Sequence, residues 1–316
     1  MSEKYDELLQ EMQSGDTVTR GYHQQIHWYP GHMVKARRGM EEDLALVDML
    51  VEVVDARAPF SSRNPDLAQY AKRKPHLLLL NKADLADPQQ TKLWIARYKK
   101  EGYIPVAVNA ARKEGLKDLQ AALLKAGKPF REKLVRKGLQ PRDPRAMIIG
   151  VPNCGKSTVI NALSPKSSAK TGNKPGVTRG RQWVKTGAGV ELLDTPGLLW
   201  PRFANYHTAF CLAVIGCISD AAFPMYQVAG DLALWLKDNA PQALIERYKL
   251  KELPETADEI FTAIGRSRGL LGPGGTVRYE DAAPILLQEY RAGKLGRLSL
   301  EKADEVFAEA ADEQKQ

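Results

Sequence analysis

The stretch Gly150-Val-Pro-Asn-Cys-Gly-Lys-Ser157 decides how the rest of the chain is read. It fits the pattern G-x-x-x-x-G-K-[ST], and the apolar run Ala146-Met-Ile-Ile ends at its first glycine. Helical spacing follows to about Leu163. A strand feeding a glycine-rich turn that opens a helix is the setting in which this pattern cradles phosphates. Its glycines let backbone N–H groups face the anion, and the helix N-terminus adds its dipole. Lys156 then reaches the β- and γ-phosphates, and the Ser157 hydroxyl suits Mg²⁺. Pro152, Asn153, Cys154, Gly155 and Thr158 complete the expected nucleotide lining.

On both sides of the loop the same rhythm repeats. Met49-Leu-Val-Glu-Val-Val-Asp55, His76-Leu-Leu-Leu-Leu-Asn81, Ile104-Pro-Val-Ala-Val108 and Val190-Glu-Leu-Leu-Asp194 read as buried strands, with helical spacing at Thr91–Glu101 and Gly115–Leu124. Strands alternating with helices imply a mainly parallel sheet covered on both faces. After about Tyr206 the strand signal fades, and Gly230–Lys237, Gln242–Tyr248 and Ala282–Ala292 carry helical periodicity. The fold class is therefore α/β followed by an all-α domain. The expected divisions are a polar extension over 1–25, the α/β domain over 26–204 and a helical domain over 205–316.

Composition bounds the rest. With 316 residues, 43% of them hydrophobic and 27% charged, the chain can build a core and is not a disordered one. No apolar run approaches a membrane span, and the N-terminus, MSEKYDELLQ, has no apolar signal core. The three cysteines lack C-x-x-C spacing, which excludes a disulfide framework or zinc ribbon. The expected address is a reducing cytoplasm, with no membrane partner. The net charge of +8 is uneven: Lys125–Arg145 is strongly basic and Lys166–Lys185 contains no acid. Clustered positive charge suggests a polyphosphate partner, with a solvated basic face as the plain alternative.

The phosphate loop alone does not choose the base. Asn81-Lys82-Ala83-Asp84 does, because it follows a strand and so sits at the carboxyl edge of the sheet. A carboxylate at Asp84 accepts from both N1–H and the exocyclic amine of guanine, a donor pair that adenine lacks. Asn81 can tie the base loop to the phosphate loop, and the Lys82 stem can cover the base. Asp194-Thr-Pro-Gly197 ends another strand, where Asp194 suits the Mg²⁺ shell and the Gly197 N–H can sense the γ-phosphate. Thr178, in the basic stretch between, is placed to serve Mg²⁺ and the γ-phosphate as a switch threonine. Asn109-Ala110, at the end of the third strand, offers backbone N–H groups for the guanine oxygen.

These motifs run in rotated order, the guanine-reading pair first and the phosphate loop after it. That order resembles the circularly permuted P-loop GTPases. Trp28-Tyr-Pro-Gly-His-Met33, Lys35-Ala-Arg-Arg38 and Asp55-Ala-Arg-Ala-Pro-Phe-Ser-Ser-Arg-Asn-Pro65 are similar to the ribosome-biogenesis GTPase A (YlqF/RbgA) subfamily, over about residues 26–300. The resemblance implies a GTP hydrolase that assembles the large ribosomal subunit, binding rRNA and pre-ribosomal particles and released on hydrolysis, and a monomer off the ribosome. In many GTPases a glutamine after D-x-x-G orients the attacking water; here Leu198 stands there and offers no hydrogen bond. The resemblance offers His32 instead, against the alternative that His32 holds the turn after Pro30-Gly31 or contacts RNA. It also implies that Asn153 helps hold K⁺, against the alternative that it only tolerates the turn. Lys35, Arg37, Arg38, Arg266, Arg268, Lys294 and Arg297 are the expected RNA contacts. A GTP-gated RNA-binding scaffold with incidental hydrolysis is the second reading, and Asn81–Asp84 disfavours a third, a P-loop kinase or ATPase.

Overall fold

The structure, a computed structural model, describes residues 42–65, 67, 74–164, 182–195, 197, 205–270, 272 and 277–306. Six strands form one sheet: β1 (Met49–Asp55), β2 (His76–Asn81), β3 (Ile104–Val108), β4 (Arg145–Ile149), β5 (Gln182–Lys185) and β6 (Glu191–Asp194), in the order β3-β2-β1-β4-β6-β5. Five run parallel, and β5 closes the edge antiparallel to β6. The alternation of β2 shows why its leucine run is unbroken. Leu77 and Leu79 enter the core on one face, and Leu78 and Leu80 pack with Trp94 and Tyr98 on the other.

Among the described residues, the longer helices α1 (Pro88–Lys100), α2 (Leu116–Arg136) and α3 (Lys156–Leu163) cover the sheet, and a helical turn over 42–46 packs Leu44 against it. Asp87 caps α1 by accepting from the N–H groups of Gln89 and Gln90, with Pro88 in the first turn. The sequence reading ended the helix α2 near Leu124, ahead of the strongly basic stretch Lys125–Arg145. The helix instead continues to Arg136, because Ala126 and Gly127 extend the buried face while Lys125, Lys128 and Lys133 stay in water. The sequence reading also missed β5. This four-residue strand lies in basic surroundings, and its edge pairing with β6 is not written in its own periodicity.

Beyond the sheet lie α4 (Tyr206–Val214), α5 (Met225–Asn239), α6 (Pro241–Tyr248), α7 (Ala257–Arg268) and α8 (Tyr279–Arg291). Among the described residues no helix is long and apolar enough to cross a membrane. The change from strands to helices falls near residue 205, yet the apolar core runs across it. Val151, Cys154 and Ile160 belong to the same cluster as Phe210, Cys211, Leu232, Phe261 and Leu286. The chain then returns: residues 297–303, expected in the helical domain, lie against the loop after β2 and against α1. All three cysteines are free and buried.

Candidate nucleotide site at the carboxyl edge of the sheet

β1, β2, β4 and β6 deliver Asp55, Asn81, the Gly150–Ser157 loop and Asp194 to one edge of the sheet. Asn81 joins the two loops that the sequence holds far apart. Its Nδ2 donates to the Cys154 carbonyl at 2.8 Å, and its Oδ1 accepts from the Ala110 N–H at 3.2 Å. Gly155 allows this approach. Its φ is +102°, and a Cβ there would stand 2.2 Å from Asn81 Nδ2.

Lys82 reinforces the junction. Its ammonium donates to the Asn153 carbonyl at 2.8 Å and lies 3.0 Å from Asp55 Oδ2. Burial disfavours the Asp55 charge, but Arg57 and Lys82 outweigh it and hold the carboxyl well below its ordinary range. Arg57 grips Asp55 bidentately, through Nε at 2.9 Å and Nη2 at 2.8 Å. Asp84, half-buried at the loop tip, has no hydrogen-bond partner among the described residues. Its oxygens remain available to a purine donor pair.

At the strand end beyond, the Ala110 N–H goes to Asn81, and the Asn109 N–H goes to the Glu114 carbonyl at 3.1 Å. The sequence reading had offered both groups to the guanine oxygen; here both have protein acceptors, since Asn109 closes a tight turn with Glu114.

At the phosphate end, Lys156 is buried and its Nζ donates to the carbonyls of Gly150 at 3.1 Å and Val151 at 2.9 Å. Gly197 rests on the same loop. A Cβ there would lie 2.8 Å from Pro152 Cα and 3.0 Å from Lys156 Nζ, so only glycine fits. Asp194 is buried at the end of β6, and its Oδ1 has no partner among the described residues. Burial pushes its carboxyl up, while Lys156 and the Thr195 N–H pull the other way. A buried, unpartnered carboxylate oxygen beside Lys156, with Ser157 in the first turn of α3, is a donor set that fits Mg²⁺. Asn153 adopts φ +58° and gives its amide nitrogen to the Gly216 carbonyl at 2.9 Å. The left-handed geometry that the turn requires is thus present, and the side chain is tied to the start of the helical region.

His32, Lys35, Arg37, Arg38 and Thr178 lie outside the described residues, as does Leu198. Of the expected RNA contacts, Arg266, Lys294 and Arg297 are exposed. Arg268 instead reaches Glu289 at 2.8 Å, and Arg297 donates to the carbonyls of Ala83 and Ala86 at 2.9 and 3.0 Å. The sequence reading missed the part played by Asp55 and Arg57. The available signal was an acid closing a buried strand with an arginine two residues on.

Residues 145–261 match the 50S ribosome-binding GTPase family. The ribosome biogenesis GTPase A of Bacillus cereus is 45% identical over 290 residues, which cover 92% of this chain and 98% of that one. The protein of the same name from Thermotoga maritima is 34% identical over 288 residues, 89% of this chain and 96% of that one. Mitochondrial ribosome-associated GTPase 1 of Mus musculus is 31% identical over 300 residues, 89% of this chain and 91% of that one. Among solved structures, GNP-bound YlqF from T. maritima superposes with a TM-score of 0.58 at 30% identity, covering 85% of this chain and 98% of that one. GDP-bound YlqF gives the same score and identity over 84% and 99%.

Proposed function

The chain belongs to the ribosome biogenesis GTPase A family, and from that premise we propose that it acts on the large ribosomal subunit precursor, binding rRNA as a GTP-dependent assembly factor and leaving once GTP is hydrolysed. It is a GTPase of ribosome biogenesis. The observation that carries the proposed site is the Asn81 junction, which holds the loop bearing Asp84 2.8 Å from the loop bearing Lys156.

In the proposed mechanism Asp84 reads the guanine edge and Lys82 covers the base. The N–H groups of the 150–158 loop and Lys156 bind the phosphates and stabilise charge on the transferring phosphoryl group. Ser157, Thr178 and Asp194 would hold Mg²⁺, and Asn153 would contribute to K⁺, each ion supplying positive charge beside the β- and γ-oxygens. The Gly197 N–H meets the γ-phosphate and loses that acceptor when the phosphate leaves. Leu198 offers no hydrogen bond to water, and His32 takes the orienting role. Lys35, Arg37, Arg38, Arg266 and Lys294 supply cationic contacts to rRNA phosphates.

The test is GTP turnover with and without purified ribosomal subunits, in potassium and in sodium, for the wild type and His32→Ala. The proposal expects stimulation by the large subunit, faster hydrolysis in potassium, and a loss on the order of 10²-fold in His32→Ala with GTP affinity retained. Leu198 favours one second reading, a GTP-gated RNA-binding scaffold with incidental hydrolysis. Turnover that subunits do not raise and that His32→Ala does not lower would establish it.

A further inference from the structure

The guanine-reading loop does not stand alone. Arg297 spans its carbonyls on either side of Asp84, through Nη2 to Ala83 at 2.9 Å and Nε to Ala86 at 3.0 Å. The next residue, Leu298, donates its N–H to the Leu85 carbonyl at 3.1 Å. Ser299 Oγ then accepts the Asp87 N–H at 3.1 Å. Three consecutive residues thus hold the backbone on both sides of Asp84. Gly293 lies close enough that a Cβ would stand 2.6 Å from Leu85 Cδ2.

The other end of this segment belongs to the helices. Arg291, at the end of α8, donates to the Val214 and Ala213 carbonyls at 3.0 and 2.8 Å, where α4 ends, and pairs with Asp220. A second tie starts from the same place. Arg57 Nη1 donates to the Tyr290 and Arg291 carbonyls at 3.4 and 3.3 Å, while the same guanidinium grips Asp55, the carboxylate that holds Lys82. The Leu300 N–H closes the loop on the Arg57 carbonyl at 2.8 Å.

We propose that Arg297 is a positioning residue for guanine recognition: by bridging Ala83 and Ala86 it sets the pose of the Asp84 carboxylate, and it makes guanine selectivity depend on the helical region. The inference rests on the reading of Asp84 as the guanine acceptor. A rigid planar guanidinium can span two carbonyls at once, which a lysine ammonium cannot do with the same geometry. A carboxylate that accepts two hydrogen bonds from one purine edge is sensitive to sub-ångström displacement.

Inosine nucleotides isolate the effect, because hypoxanthine keeps N1–H and lacks the exocyclic amine. The full-length protein is titrated calorimetrically with GDP and with IDP as wild type, Arg297→Ala and Arg297→Lys, with a thermal melt on each variant. A misplaced Asp84 loses the amine bond first. In Arg297→Ala, GDP affinity should fall about fivefold, which corresponds to about 1 kcal/mol, while IDP affinity falls less than twofold. The GDP/IDP ratio therefore shrinks, and Arg297→Lys should sit between the two. A merely structural role would lower melting temperature or weaken both ligands equally, and an unchanged ratio in folded Arg297→Ala overturns the proposal. Should that variant not fold, Arg297→Gln, which keeps one amide donor, carries the same comparison with the same two outcomes. A wild type that binds GDP and IDP alike is a separate failure: it removes the reading of Asp84, and the proposal falls with it.

Discussion

Asn81 is a small residue with a large duty, because its amide satisfies one buried carbonyl and one buried N–H on two different loops. Asn81→Ala leaves both groups without a protein partner. Each orphaned buried group costs roughly 1–3 kcal/mol, so the expected loss is about 2–6 kcal/mol in urea unfolding, with at least a tenfold loss of GDP affinity by calorimetry. Gly155→Ala should behave similarly, because its Cβ would collide with Asn81 Nδ2 at 2.2 Å. Glu52 makes a different prediction. It is buried in β1 and faces Arg63 at 3.3 Å, His76 at 3.1 Å and the Asn64 N–H at 3.1 Å. Burial opposes its charge, but those partners prevail and hold the carboxyl at about 2, against 4.5 ordinarily. A carboxyl lowered by folding contributes stability above its unfolded value and loses it as pH falls through the folded one. The wild type should therefore exceed Glu52→Gln in stability at neutral pH, and the gap should close between pH 4.5 and about 2. Urea melts across that range measure it.

Among the elements, the three helices α6, α7 and α8 are held partly by one carboxylate. Glu289 on α8 takes Arg247 from α6 at 2.6 Å and Arg268 from α7 at 2.8 Å; burial opposes its charge, but Arg247, the Tyr248 hydroxyl and Arg268 prevail and lower its carboxyl to about 2. Two arginines expected on RNA therefore part company. Arg268→Ala should lower the melting temperature by a few degrees, since an ion pair and its stacking on Tyr248 are lost. Arg266→Ala, on an exposed side chain, should leave the melt unchanged and weaken RNA binding, most at low salt. Equal melting losses in both would refute the assignment. The same elements show what periodicity can and cannot reveal. The α5, α6 and α8 spacings were legible because each helix keeps a wet face. α4 was not, because Thr208–Val214 is buried all round and carries no amphipathic signal. α7 did announce its start, through the Thr256/Glu259 capping box, but its basic end reads more readily as a phosphate-binding turn. At the site, Asn81, Asp84, Gly155 and Lys156 were legible because local motifs encode them. Arg57 and Arg297 were not, because the carbonyls they reach lie 211 to 234 residues away, to which sequence gives no clue.

At the scale of the whole molecule, the rotated motif order was readable, while the way residues 290–303 close back on residues 57–94 was not. A break near residue 205 follows from the change of periodicity, yet the core ignores it. Val151 and Cys154 under the phosphate loop share one apolar cluster with α4, α5, α7 and α8. Polar ties cross at several points: Asn153 to Gly216, Arg57 to Tyr290, and Glu301 to the Phe60 and Ser61 N–H groups at 2.7 and 2.9 Å. Chains of this length ordinarily divide into domains that unfold separately. Here neither half buries its apolar surface without the other, so scanning calorimetry should show a single transition whose calorimetric and van't Hoff enthalpies agree. GDP at 100 times its Kd adds about 2.7 kcal/mol to whatever unit it binds. With one cooperative unit, that increment moves the entire transition upward. Two separated transitions, of which GDP shifts only one, would mean that the continuous core does not couple the sheet to the helices.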